Sequence, residues 1–152
     1  MAEQAKKKIS VGADHGGFEA KEVIKKHLTD IGYEVIDCGT NSINSCNYAE
    51  FALKAAELVG NKECSLGILF CSTGEGVAIA ANKVKGVRCG IGYNDDVSRL
   101  LKQHNDANMI AFGAKFMNIN DILRRTDIFL STDFEGGRHC VRVDTINDYD
   151  KK

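Results

Sequence analysis

Proline is absent from this chain of 152 residues, and by itself that absence carries no functional reading. Other absences say more. No apolar stretch approaches the ~18 residues that a membrane-spanning helix requires. The start, MAEQAKKK, is short and polar and has no signal-peptide core. The expectation is a soluble, cytoplasmic protein with no membrane partner. An excess of one charge is also missing, since 20 basic and 21 acidic side chains leave a formal charge of −1. This argues against nucleic acid as a partner, which calls for a broad basic footprint, while leaving room for a local basic pocket. The six cysteines, Cys38, Cys46, Cys64, Cys71, Cys89 and Cys140, contain no CxxC pair. A structural zinc site therefore has no starting point, and reduced thiols are expected. Neither GxGxxG nor GxxxxGK[ST] occurs, so no familiar nucleotide motif explains the glycines.

What is present is a regular alternation. Apolar residues make up 43% of the chain, enough for a packed core at a length that suits one domain over 1–152, with residues 1–7 as a flexible leader. Lys8–Ala13, KISVGA, predicts a buried strand that runs into Asp14-His15-Gly16-Gly17. Residues 18–31 carry Ala20, Ile24, Leu28 and Ile31 at helical spacing, with Gly32 as a natural C-terminal cap. Further strands are predicted at 33–37, 66–70, 87–91 and 109–112. Helices are predicted at 48–59, 77–84, 95–103 and 119–129, and a last one lies within 140–149. Continuous apolar strands between amphipathic helices, with no repeat or long linker, point to an α/β fold whose parallel sheet is covered on both faces. In such folds ligands sit beyond the carboxyl ends of the strands. Asp14, His15, the turn after Cys71 and His104 are expected at that edge.

The chain is organised around Ser65–Gly76, SLGILFCSTGEG, where an apolar run meets small residues and then a helix. Such a turn presents backbone N–H groups to an anion beside a helix N-terminus. Cys71 there is either a nucleophile or base, or a small buried thiol ending a strand. Thr73 either binds a substrate or caps the helix. Glu75 could be a second base, but a carboxylate in a first helical turn is well explained by the helix dipole. Asp14 and His15 read equally as an acid–base pair or as a cap and an exposed imidazole. His104 could move a proton and Asn105 could hold an oxygen, or the two could simply end a helix. In FEGGRHCVR, Arg138 and Arg142 stand four apart, which suits a phosphate if the segment is helical. A solvated basic face is the alternative.

Five separated segments, GADHGGF, EVIDCGT, ILFCSTGEGVAIAANKVKGVR, QHNDANMIAFG and FEGGRHCVRV, occur in the order seen in one family. Over nearly its whole length the chain resembles the ribose-5-phosphate isomerase B family of sugar-phosphate isomerases. The resemblance implies a doubly wound, Rossmann-like α/β/α sandwich with a five-stranded parallel sheet. It also implies a homodimer or dimer of dimers with the site between subunits, a small sugar phosphate as partner, and no nucleotide, other cofactor or metal. By position, Cys71 is the base that moves the C2 proton. Thr73, with the turn Ser72, Gly74, Glu75 and Gly76, stabilises the enediolate oxygen. Asp14 and His15 stand at the sugar ring, and Tyr48 is a pocket wall. His104 opens the ring with Asn105 beside it, and Arg138, His139 and Arg142 take the phosphate with help from Lys115.

Four departures from the family pattern stand out: Asn47-Tyr48-Ala49 in place of Asp-Tyr-Pro, Cys71-Ser72-Thr73-Gly74 in place of Cys-Gly-Thr-Gly, Glu75 where an aliphatic residue is usual, and Lys115 in place of arginine. The expected reaction is the interconversion of D-ribose 5-phosphate and D-ribulose 5-phosphate, with ribose 5-phosphate preferred over six-carbon sugars. The alternatives are an isomerase for allose or galactose 6-phosphate, and a binding module without turnover. A phosphatase ranks below both, because the arginines and the base address opposite ends of the sugar.

Overall fold

A computed structural model of the chain describes residues 7–152, so the leader expected at 1–7 lies, apart from Lys7, outside the described residues. The elements in order are β1 (Lys8–Ala13), α1 (Phe18–Asp30), β2 (Glu34–Asp37), α2 (Tyr48–Gly60), β3 (Leu66–Cys71) and α3 (Glu75–Ala81). They are followed by β4 (Cys89–Ile91), α4 (Asp95–Asn105), β5 (Met109–Gly113), α5 (Ile119–Ser131) and α6 (His139–Tyr149). The five strands pair in the order β2-β1-β3-β5-β4 and every pair is parallel. This is the expected three-layer α/β/α arrangement.

The layers follow from the strand sequences. β3 and β5 are apolar at nearly every position because helices cover both of their faces. On one face Leu69, Cys71, Met109 and Ala111 pack with Ala52, Ala55 and Ala56 of α2 and Val77, Ala78 and Ala81 of α3. On the other, Val11, Ile68, Phe70, Ile110 and Phe112 pack with Ile24 and Leu28 of α1 and with Ile122 and Phe129 of α5. The alanines let α2 lie close to the sheet, and the Ser10 hydroxyl donates to the Ala55 carbonyl across that contact at 2.9 Å.

From β1 the chain steps outward to β2, then crosses back to β3 on the other side of β1. The carboxyl ends of β1 and β3 therefore border the switch point, where a ligand crevice forms in open parallel sheets. Among the described residues no helix is long and apolar enough to cross a membrane.

Several boundaries differ from the sequence expectation for local reasons. β4 begins at Cys89 rather than 87, because the Arg88 N–H donates to the Asn108 side chain at 2.8 Å instead of to a neighbouring strand. α3 starts at Glu75 and stops at Ala81, three residues before 84. Its end is set by the Asn82 side chain, which donates to the Cys89 carbonyl at 2.9 Å and accepts from the Cys89 N–H at 2.8 Å. α4 continues past 103 to Asn105, and Asp106, at φ 46°, makes the turn that was expected to begin at Asn105.

Candidate active site

The carboxyl edge of the sheet holds the first group of candidates. Cys71 is the last residue of β3, buried on the α2/α3 side. The chain then turns through Ser72 and Thr73 to Gly74, whose φ of 83° is open to glycine at little cost. That conformation aims the Gly74 N–H at the Cys71 sulfur, 3.1 Å away. Thr73 is exposed, and its hydroxyl oxygen accepts from the Glu75 N–H at 3.1 Å, which leaves the hydroxyl proton free to donate outward. A Cβ on Gly113 would strike the Thr73 backbone, so the end of β5 must be glycine for this turn to sit where it does. Glu75 is exposed in the first turn of α3, where its charge suits the dipole. The ring of Tyr48, at the start of α2, packs over Gly76, where a Cβ would come within 2.7 Å of it.

Asp14 and His15 arrive at this same edge from β1. The Asp14 N–H donates to the Phe70 carbonyl at 3.3 Å, tying the two strand ends together. The Asp14 carboxylate is buried and accepts from the Gly16 and Gly17 N–H groups at 2.9 and 3.2 Å. A Cβ on Gly16 would collide with the Ser72 hydroxyl, so the two turns are in close contact. His15 is exposed, and its Nδ1 accepts the Cys46 N–H at 3.3 Å. In the neutral ring that bond leaves the proton on Nε2. Lys115 follows β5 and its N–H donates to the Ser72 carbonyl at 3.1 Å.

The second group lies elsewhere. α4 is the return from the carboxyl edge, so its last residues, His104 and Asn105, come down at the opposite, amino edge, four residues before β5 begins. The expectation that His104 joins Asp14 and Cys71 at one edge of one chain is thus corrected by the direction of the crossover helix. Residues 132–138 lie beside His104, with the Glu135 N–H donating to the Gln103 carbonyl at 3.0 Å. The His104 and His139 rings stack at 4.2 Å between centroids and 15° between planes. His139 is buried and its Nε2 has no hydrogen-bond partner. Burial, with His104 and Arg138 adding repulsion, holds its imidazole below the usual value. Arg138 is the N-cap residue of α6, and Arg142 one turn on bonds back to the Arg138 carbonyl at 3.3 Å. Both arginines are exposed.

The fold therefore brings Asp14, His15, Tyr48, Cys71–Gly76 and Lys115 to one edge, and His104, Asn105, Arg138, His139 and Arg142 to the other. Lys115 does not meet the arginines within the chain. Its ammonium stands over the Phe116 ring, 5.8 Å from the centroid. Donor atoms of His104, Glu135 and His139 come within 4.8 Å of one another. Stacked imidazoles direct their lone pairs side by side rather than at one point, so this trio is not a ready-made metal centre. Sequence reasoning passed over Lys21 and Asp37, which form an ion pair between a fully buried lysine on α1 and a half-buried aspartate at the end of β2. Their signal was Lys21 itself, three and seven residues before Ile24 and Leu28 on the apolar face of α1.

Comparison with known proteins agrees with this architecture. The family described as Ribose/Galactose Isomerase matches residues 9–146. Ribose-5-phosphate isomerase B of Escherichia coli (strain K12) is 41% identical over 140 residues, which is 92% of this chain and 94% of that protein. The structure of the Clostridium thermocellum ribose-5-phosphate isomerase B superposes with a TM-score of 0.93 at 44% identity, covering 95% of this chain and 97% of the other. That of the Mycoplasma genitalium enzyme with bound ribulose-5-phosphate gives 0.94 at 36% identity, covering 98% and 99%. With the fold, the switch-point turn and the matched span in agreement, the chain belongs to the ribose/galactose isomerase family.

Proposed function

We propose that this protein is an aldose–ketose isomerase that interconverts D-ribose 5-phosphate and D-ribulose 5-phosphate. The observation that carries this reading beyond family membership is the Cys71 sulfur, held 3.1 Å from the Gly74 N–H at the switch point. As thiolate it takes the C2 proton of the open aldose and returns a proton at C1 through an enediolate. Thr73 supports this step because its hydroxyl proton is free to meet the developing oxyanion. Asp14 and His15 stand at the sugar ring, and Tyr48 walls the pocket. Glu75 and Gly76, in the first turn of α3, border the substrate.

The two groups of candidates are separated by the length of the sheet, roughly 15–20 Å for strands of five or six residues. A five-carbon sugar phosphate is much shorter than that. The reading is therefore completed by a second copy, whose His104 and Asn105 open the ring and whose Arg138, His139 and Arg142 bind the phosphate beside Cys71 of the first. A homodimer, or a dimer of dimers, is the assembly that supplies both halves. Six free cysteines suit the reducing cytoplasm.

The test is deuterium exchange in D2O. Wild-type protein is expected to wash solvent deuterium into C1 of ribulose 5-phosphate and into C2 of ribose 5-phosphate. Cys71→Ala should reduce both by at least a thousandfold while phosphate binding and the folded spectrum persist. Full exchange by that variant would overturn the assignment of the base.

A further inference from the structure

The side chain of Lys21 is completely buried, yet it carries an ammonium. That group donates to both oxygens of Asp37, at 2.8 and 2.6 Å, and to Glu22 at 3.0 Å. Lys25 adds a third contact to Asp37 at 3.0 Å. Neighbouring cations and the Gly39 N–H outweigh burial and hold the Asp37 carboxyl below its usual range. A buried charge pair is a poor way to gain stability alone, because desolvation offsets most of the attraction. Its position suggests another use.

Asp37 is the last residue of β2, and its Oδ1 also accepts the Gly39 N–H at 2.9 Å. The segment after it is sewn to β1. The Cys38 N–H donates to the Val11 carbonyl at 2.8 Å, the Ala13 N–H to Gly39 and the Thr40 N–H back to Ala13. Lys21 stands in the second turn of α1, and its own N–H donates to the Gly17 carbonyl at 2.9 Å. The clamp thus joins the start of α1 to the end of β2. The turn Asp14–Gly17 spans the gap between Ala13 and α1; the pair holds the α1 side directly and reaches the Ala13 side through Gly39, whose N–H bonds Asp37 and whose carbonyl accepts from Ala13.

We propose that the Lys21–Asp37 pair is a positioning device that sets the Asp14–His15 turn against the sugar ring. It touches neither substrate nor Cys71. The inference rests on the proposed role of Asp14 and His15 at the ring, and it separates two steps of the reaction. Ribose 5-phosphate must be opened before its C2 proton can move. Ribulose 5-phosphate has no free hydroxyl with which to close a five- or six-membered ring, so exchange at its C1 requires no ring opening.

The experiment compares those two rates in one preparation. Lys21→Met is the primary variant. Lys21→Met combined with Asp37→Asn guards against misfolding, since the amide oxygen still accepts from Gly39 and no unpaired buried charge remains. Lys21→Arg is the conservative control. Net turnover of ribose 5-phosphate is expected to fall roughly 10–100-fold in the first two, in line with a small misplacement of a reacting group. Deuterium exchange into C1 of ribulose 5-phosphate should stay within about threefold of wild type by the same reasoning, and Lys21→Arg should recover most of the turnover. A merely structural pair would lower both rates in proportion, and that outcome overturns the inference, as does undiminished turnover in the double variant. Failure of the wild-type protein to exchange at all would instead sink the isomerase reading.

Discussion

His139 shows how one side chain can be read twice. The family resemblance placed it with Arg138 and Arg142 on the phosphate side, and in the structure it is buried, stacked on His104 and lacks a partner at Nε2. Burial holds its imidazole below the ordinary 6.5, so on acidification the unfolded chain takes up this proton first. Stability rises with pH wherever the unfolded state binds more protons. The contribution is therefore intact above 6.5 and is lost as pH falls from there towards the depressed folded value. We expect Tm to decline over that window, and His139→Gln to flatten the slope. Proton NMR should find the His139 titration below that of a free imidazole, and a midpoint at or above 6.5 would contradict the burial argument.

At the scale of elements, two short segments carry the proposed chemistry. The turn between β3 and α3 depends on the missing side chain at Gly113, because Thr73 occupies the space of a Cβ there. Gly113→Ala should cost about 1–3 kcal/mol in urea unfolding, as overpacked sites do. It should lower kcat more than it raises KM, since it displaces Thr73 and Gly74 together. The start of α6 is the other segment. Arg138 and Arg142 stand one turn apart and both are exposed, as the proposed phosphate role requires. Replacing either with alanine should weaken phosphorylated sugar by about 1.5–3 kcal/mol in calorimetric titration. Unphosphorylated ribose should be unaffected, and an equal loss for both sugars would remove the arginines from the phosphate role.

For the whole molecule, the decisive fact is that the candidates divide between the two edges of one sheet. A site shared by two copies makes a sharp prediction about mixtures. Cys71→Ala and His104→Ala should each be inactive alone. Mixed in equal amounts, unfolded and refolded together, they should regain roughly a quarter of wild-type activity. Random pairing makes half of the dimers mixed, and each mixed dimer contains one site with both residues intact. No recovery above the single variants would place both residues in the same chain's site.

Much of this was legible in the sequence, for physical reasons. Strands such as LGILFC and MIAFG are apolar throughout because helices cover both faces, and period and glycine punctuation mark the helices between them. Cys71, Thr73, Asp14 and the arginines were marked because small, reactive or charged residues follow strand and helix ends. What the sequence could not decide was distance. His104 stands at the end of a helix and Cys71 at the end of a strand, and only the antiparallel return of α4 puts them at opposite edges. The partnership of Lys21 with Asp37 was equally hidden, because it joins residues sixteen apart through a tertiary contact that neither local pattern specifies. Sequence determined which elements form and which side chains stand at their ends. Tertiary packing alone decided which ends meet, since the reach of a side chain is short and the chain between two of them can run either way.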